Sequence, residues 1–238
     1  MSLSKHLLLF GLLSIEGIIF YSHNTQYGGV DNEEKNHANE QLLLGAEYGN
    51  IEMVRNALKA GATVASTNRI GKSALMVAAH NGHPDIGTLL IEHGADVNAA
   101  DNAGFTSLIH AYINNLHDFA KLLIERGADV NAAEMHGETA LIMASYGNNP
   151  EFVKLLIENG ADVNSRDNDG NTALIAASRR GYIKIVKILI DAGANIMSEN
   201  NNGKTALYMA KKKRHKNIEK MLTDVKKIQE IKKLASDT

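Results

Sequence analysis

Residues 158–174 read ENGADVNSRDNDGNTAL, with Asp, Asn and Gly at short, near-alternating spacing. A calcium loop and a tight turn share that look. An EF-hand loop needs oxygen ligands at its first, third and fifth positions, Gly at the sixth and a bidentate Glu at the twelfth. With Gly170 at the sixth, Ser165, Asp167 and Asp169 fall at the first, third and fifth, and Ala176 falls at the twelfth. The strongest ligand is missing, and two carboxylates leave a divalent ion under-coordinated. The stretch reads as a turn.

The turn recurs. Glycines stand at 71, 104, 137, 170 and 203, each 33 residues from the last, and a second set at 61, 94, 127, 160 and 193 keeps the period. The first set sits in GKSAL, GFTSL, GETAL, GNTAL and GKTAL, the second in AGATV, HGADV, RGADV, NGADV and AGANI. A fixed period of this size marks stacked repeat architectures. Within one unit, Thr172 stands at a helix N-cap, where its hydroxyl serves an orphan amide. Ala173, Leu174, Ala176 and Ala177 give a short first helix with a close-packing face, and Gly181 ends it. Ile183, Ile185, Val186, Ile188, Leu189 and Ile190 make a second helix apolar around much of its girth, so neighbours must sandwich it. Gly193 closes it, and in two other units Pro84 and Pro150 take the first turn of the second helix. One such pair cannot bury its faces alone; stacking supplies the core.

The motifs G-x-T-x-L, A-x-x-G and LLIExGADVNA resemble the ankyrin-repeat family across residues 39–223. The resemblance implies an all-α repeat solenoid of L-shaped units, each two antiparallel helices with a hairpin finger. In that frame residues 39–67 are a truncated first repeat, 68–100, 101–133, 134–166 and 167–199 are full repeats, and 200–223 cap the stack. The family's TPLH becomes SALM, TSLI, TALI or TALY, and its buried histidine is replaced by Met76, Ile109, Ile142, Ile175 and Tyr208. The hydrogen bonds which that histidine makes between units are therefore expected to be missing, with apolar contact taking their place. Asn115 stands where the third unit should carry its helix-ending Gly, and GNNP should shift that Gly to position 147 in the fourth. Local irregularity is expected at both.

The ends differ from the array. Residues 7–21 form an apolar run interrupted by Glu16, behind a weakly basic head of Lys5 and His6. The run is short for a membrane span but long enough for a signal-peptide core. Residues 1–22 read as an export signal or membrane anchor, with a cytoplasmic protein as the alternative, and the polar residues 23–38 read as a linker. From Lys204 onward there are eleven Lys or Arg against four Asp or Glu, a local charge of +7. Ile218, Met221, Leu222, Val225, Ile228 and Ile231 keep helical spacing, so the last helix should run on as a basic extension over residues 224–238 and cover the end of the stack. KKKRHK at 211–216 is nucleic-acid-like in composition, and residues 211–233 define an alternative role on nucleic acid or an anionic surface. A polar outer face is also what a terminal repeat needs for solubility.

Chemistry-bearing motifs are scarce. Cysteine is absent, and the net charge of −2 argues against whole-protein attraction to polyanions. The ten histidines show no ligand spacing, and no nucleophile elbow, phosphate-cradling loop or facing carboxylate pair occurs. No enzyme activity, metal or cofactor is expected. The resemblance implies a module that binds a partner protein on its concave side, through finger tips and first helices, and the chain is expected to be monomeric. Carried over by position, the tip candidates are Arg69, Ile70, Lys72, Asn102, Ala103, Phe105, Met135, His136, Glu138, Asn168, Asp169 and Asn171. The first-helix candidates are Tyr48, His80, Asn81, Ile113, Asn114, Tyr146, Arg179 and Arg180. Ile70, Phe105, Met135 and Tyr146 are expected to form an exposed apolar stripe, the composition of an interface core. The alternative folds Ile70 and Phe105 back onto their own hairpins.

Overall fold

The computed structural model describes residues 30–236, which form twelve helices. In chain order they are α1 Val30–Tyr48, α2 Ile51–Lys59, α3 Ala74–Asn81, α4 Pro84–Glu92, α5 Ser107–Ile113 and α6 His117–Glu125. Then follow α7 Ala140–Tyr146, α8 Pro150–Glu158, α9 Ala173–Arg180, α10 Ile183–Asp191, α11 Ala206–Lys213 and α12 Lys216–Ser236. Odd-numbered helices stack on one another as an inner layer, and each even-numbered helix packs against the helix before it. The product is an all-α repeat stack.

Local chemistry sets each unit. Ser73, Thr106, Thr139, Thr172 and Thr205 cap the inner helices, each accepting from the amide three residues on at 3.2–3.4 Å. Pro84 and Pro150 are the first residues of their outer helices. The core is continuous through the stack, running from Leu42 and Val54 through Leu75, Ile109, Phe152 and Leu174 to Ile218 and Leu222. In four of the five fingers the side chain of Asn68, Asp101, Glu134 or Asn200 accepts from the amides two and four residues on, at 2.9–3.1 Å. A single antiparallel bridge closes the fingers at Thr67–Ser73, Ala100–Thr106, Ala133–Thr139 and Glu199–Thr205. The finger of the opening stretch has no such bridge among the described residues. There both Asp167 oxygens are taken by Asn171, whose amide donates at 2.7 Å and whose side-chain nitrogen donates at 3.0 and 3.3 Å.

Several expectations need correction. Residues 30–38 are not linker: the first helix begins at Val30, because its exposed polar residues extend a helix anchored by buried Ala38, Leu42 and Ala46. Nor does the helix-ending position shift in the fourth unit. Gly82, Asn115, Asn148, Gly181 and Arg214 hold it in unbroken 33-residue register with φ between +54° and +85°, while Gly147 has φ −89°. Asn tolerates that left-handed conformation better than most residues, so the frame survives without glycine.

Polar contact between units is also present, made by asparagine. Asn98 accepts from Asp129 N at 2.7 Å and donates to Gly127 O at 3.0 Å; Asn131 does the same with Asp162 N (2.7 Å) and Gly160 O (3.2 Å). Asn164 accepts from Asn195 N at 2.7 Å. These clamps satisfy turn amides of the next repeat, each bond contributing about 1 kcal/mol net. The last helix does run on past the usual length, to Ser236. Ile218 and Leu222 are buried on the stack, yet Ile228 and Ile231 are 52% and 65% exposed, so the end of α12 does not cover it.

Residues 1–22, read as signal or anchor, lie outside the described residues. Among the described residues no helix is long and apolar enough to cross a membrane.

Candidate protein-binding face

The fingers and the inner-helix ends share one wall. Neighbouring fingers are laced together: Asn102 N donates to Ile70 O (3.1 Å), Met135 N to Ala103 O (2.8 Å), Asn168 N to His136 O (2.9 Å) and Asn201 N to Asp169 O (2.9 Å). Asn102, Asn168 and Asn201 add side-chain donation to Arg69 O, Met135 O and Asn168 O, at 3.5, 3.0 and 2.8 Å. Tip candidates Asn102 and Asn168 are thus rungs of the finger ladder. Asn171 is buried, held by Asp167 and by Asn200 at 2.9 Å, and offers nothing to a partner. Of the three tip residues singled out in the opening stretch, Asp169 alone has an exposed side chain without a structural bond among the described contacts.

The inner-helix ends fall in register as His80, Ile113, Tyr146, Arg179 and Lys212, and one residue on as Asn81, Asn114, Gly147, Arg180 and Lys213. Asn81 and Asn114 fold back onto their own helices, donating to Val77 O (2.9 Å) and His110 O (3.2 Å). Large apolar groups left open are Tyr48, 72% exposed, Ile70 at 56%, Ile113 at 47% and Met135 at 62%. The stripe expected through Phe105 and Tyr146 is only partly open. Phe105 is half-buried and stacks on His110, with ring centroids 5.6 Å apart, so it folds back as the alternative reading had it; Ile70 does not. Tyr146 is half-buried beneath Arg180, whose guanidinium lies 5.8 Å from the ring centroid. Arg69, Lys72, Ala103, His136 and Glu138 complete the tips, with Arg69 and His136 exposed. Burial, and then the Glu134, Asp167 and Asp169 carboxylates, raise the Glu138 carboxyl above its ordinary value.

A buried histidine links the second and third repeats, and the sequence reading passed over it. His110 is 3% exposed, its Nδ1 lies 3.3 Å from His80 Nδ1, and its Nε2 faces Asp101 Oδ2 at 3.6 Å without a hydrogen-bond partner. Burial, then Lys72 and His80, push its pKa down to about 4 against the pull of Asp101. A lone histidine inside the apolar SLIHAYI was the available signal. Among the described residues no group of three or more His, Asp or Glu could hold a metal ion.

An all-α stack of helix pairs with a laced row of projecting fingers is a repeat-protein architecture. The family model of ankyrin repeats (3 copies) matches residues 42–134 and 132–200. The chain belongs to the ankyrin-repeat family, a non-enzymatic fold that serves generally in protein–protein interaction. Among solved structures it is similar to the crystal structure of the ankyrin repeat domain of Bcl-3, a unique member of the IkappaB protein family. The two are 31% identical with a TM-score of 0.68, over 75% of this chain and 81% of that one. No curated protein matches.

Proposed function

We propose that this chain is a non-catalytic adaptor that binds a partner protein along the finger-and-inner-helix wall, with Ile70, Ile113 and Met135 as its apolar anchors. The observation that carries this reading is that three large apolar side chains, each about half open or more, stand on the finger tips and inner-helix end of three successive repeats. An interface places apolar groups at its centre and polar groups at its rim, and Arg69, His136 and Asp169 supply such a rim. The test is photo-crosslinking in cell extract from single reactive residues placed at 70 or 135, and at Lys187 on the outer layer as a control. Partner adducts are expected from 70 and 135 alone; adducts of equal yield from 187 overturn the reading.

Residues 7–21 support export or membrane anchoring by composition, with a cytoplasmic array as the alternative. A chain with its N-terminus intact in the soluble cytoplasmic fraction sinks the export reading; cleavage near residue 22 or recovery with membranes upholds it.

A further inference from the structure

The wall changes chemical character along the stack. At the inner-helix ends the second and third repeats present His80, Asn81, Ile113 and Asn114; the fifth and sixth present Arg179, Arg180, Lys211, Lys212 and Lys213. Neither α9 nor α11 contains a carboxylate, and none of those five cations has an ion-pair partner among the described residues. The two helix ends are held side by side, with the His215 ring nitrogen Nε2 3.2 Å from Arg179 O. Solubility of a terminal repeat requires polar groups but not groups of one sign, so gathering five like charges without counter-charges is not explained by capping.

The aromatic neighbours sharpen the point. Arg180 lies over the Tyr146 ring, Lys204 Nζ is 4.4 Å from the Tyr208 ring centroid, and Lys212 Nζ is 6.0 Å from it. A ring face orients a cation without neutralising it, so these side chains keep their full charge for an incoming anion. The fingers that open the fourth and fifth repeats carry Glu138, Asp167 and Asp169, the last two in the same repeat as Arg179 and Arg180. Cations therefore gather at the inner-helix ends of the fifth and sixth repeats, while carboxylates stand on the fingers of the fourth and fifth.

We propose that the partner is a protein segment in two chemical parts: an apolar part over the second to fourth repeats and an acidic part over the inner-helix ends of the fifth and sixth. This rests on the wall being the binding face, and it adds the partner's chemistry and direction. The Glu138, Asp167 and Asp169 carboxylates disfavour a carboxylate-rich sequence that shifts from the inner-helix ends onto those fingers. The same carboxylates disfavour a phosphate chain laid over those fingers.

The test is selection of random short peptides displayed on phage against the full chain, followed by titration of the recovered peptides as synthetic products. Net-acidic peptides with two or more large apolar residues are expected. Arg179→Glu with Lys212→Glu should weaken them about tenfold or more, with loss of their salt dependence. Ile70→Ser with Met135→Ser should weaken them about tenfold with the salt dependence kept. Neutral or basic peptides that respond only to the Ile70 and Met135 changes overturn the acidic part and leave the binding face standing. Peptides indifferent to both pairs overturn the binding face itself. Tighter binding of a labelled oligo-dT than of any acidic peptide, abolished by the charge reversal, overturns the proposal in favour of nucleic acid.

Discussion

Phe152→Ala is expected to cost about 3–5 kcal/mol of unfolding free energy, the range for emptying a fully buried aromatic site. Phe152 is completely buried in α8, yet its ring reaches across a repeat boundary. It meets Tyr112 and His117 of the preceding unit edge-on, with centroids 5.2 and 5.5 Å apart. The Tyr112 hydroxyl in turn donates to Met143 O at 2.9 Å, and the His117 ring nitrogens Nδ1 and Nε2 lie 3.1 Å from Asn115 O and 3.3 Å from Asn149 Oδ1, so both neighbours of the cavity are tied down. The site has little freedom to collapse, which places the loss toward the upper end. Stability in a repeat stack is a sum of unit terms and nearest-neighbour terms, and this ring contributes to a neighbour term. Urea unfolding should therefore show a lower midpoint and a broader or divided transition. Met135→Ala, at an exposed finger tip, serves as the comparison and should change stability by no more than about 0.5 kcal/mol. A Phe152→Ala loss as small as that would show that the boundary is not held by this ring.

Acidification should weaken the array through His110. In the folded chain burial, with Lys72 and His80 behind it, keeps the imidazole neutral down to about pH 4, whereas in the unfolded chain it takes a proton near its ordinary 6.5. The unfolded state binds more protons across that window, so stability is intact above about pH 6.5 and falls as pH drops toward 4. The loss is about 2 kcal/mol by pH 5 and about 3 kcal/mol by pH 4. His80, whose pKa burial, then Lys72, also lowers against Asp101, acts in the same direction. Between pH 7 and pH 5 the denaturant midpoint of the natural chain should fall more than that of His110→Leu, because the variant lacks this term. Parallel profiles would mean that His110 accepts its proton in place, with Asp101 as its partner.

Much of the fold was legible because the interactions that write it are short in sequence. Ser73, Thr106, Thr139, Thr172 and Thr205 cap helices three residues away, and Pro84 and Pro150 open helices by fixing their own backbone. Such signals need no knowledge of the neighbouring repeat. The GNNP stretch misled for a related reason: a glycine was expected to govern the left-handed position, whereas stacking held the register and Asn148 accepted the conformation.

The candidate site was legible only as positions. Arg69, Ile70, Met135, Asp169 and the inner-helix arginines are open side chains, but Asn102 and Asn168, though exposed, already donate to the preceding finger, and Asn171 is buried. Whether an asparagine on a turn is available depends on which carbonyl of the adjacent repeat lies within 3.5 Å of it.

By itself, then, the sequence determined the 33-residue frame, the helix pair, the caps and the failure of ENGADVNSRDNDGNTAL as a calcium loop, all of which follow from residue spacing and local backbone chemistry. The tertiary structure alone decided which asparagines are clamps, that His110 sits sealed between two repeats, that the expected apolar stripe is only partly open, and that the end of α12 is left uncovered. Those outcomes depend on groups from different repeats or on how far a neighbour's surface extends. Spacing along one chain does not specify that.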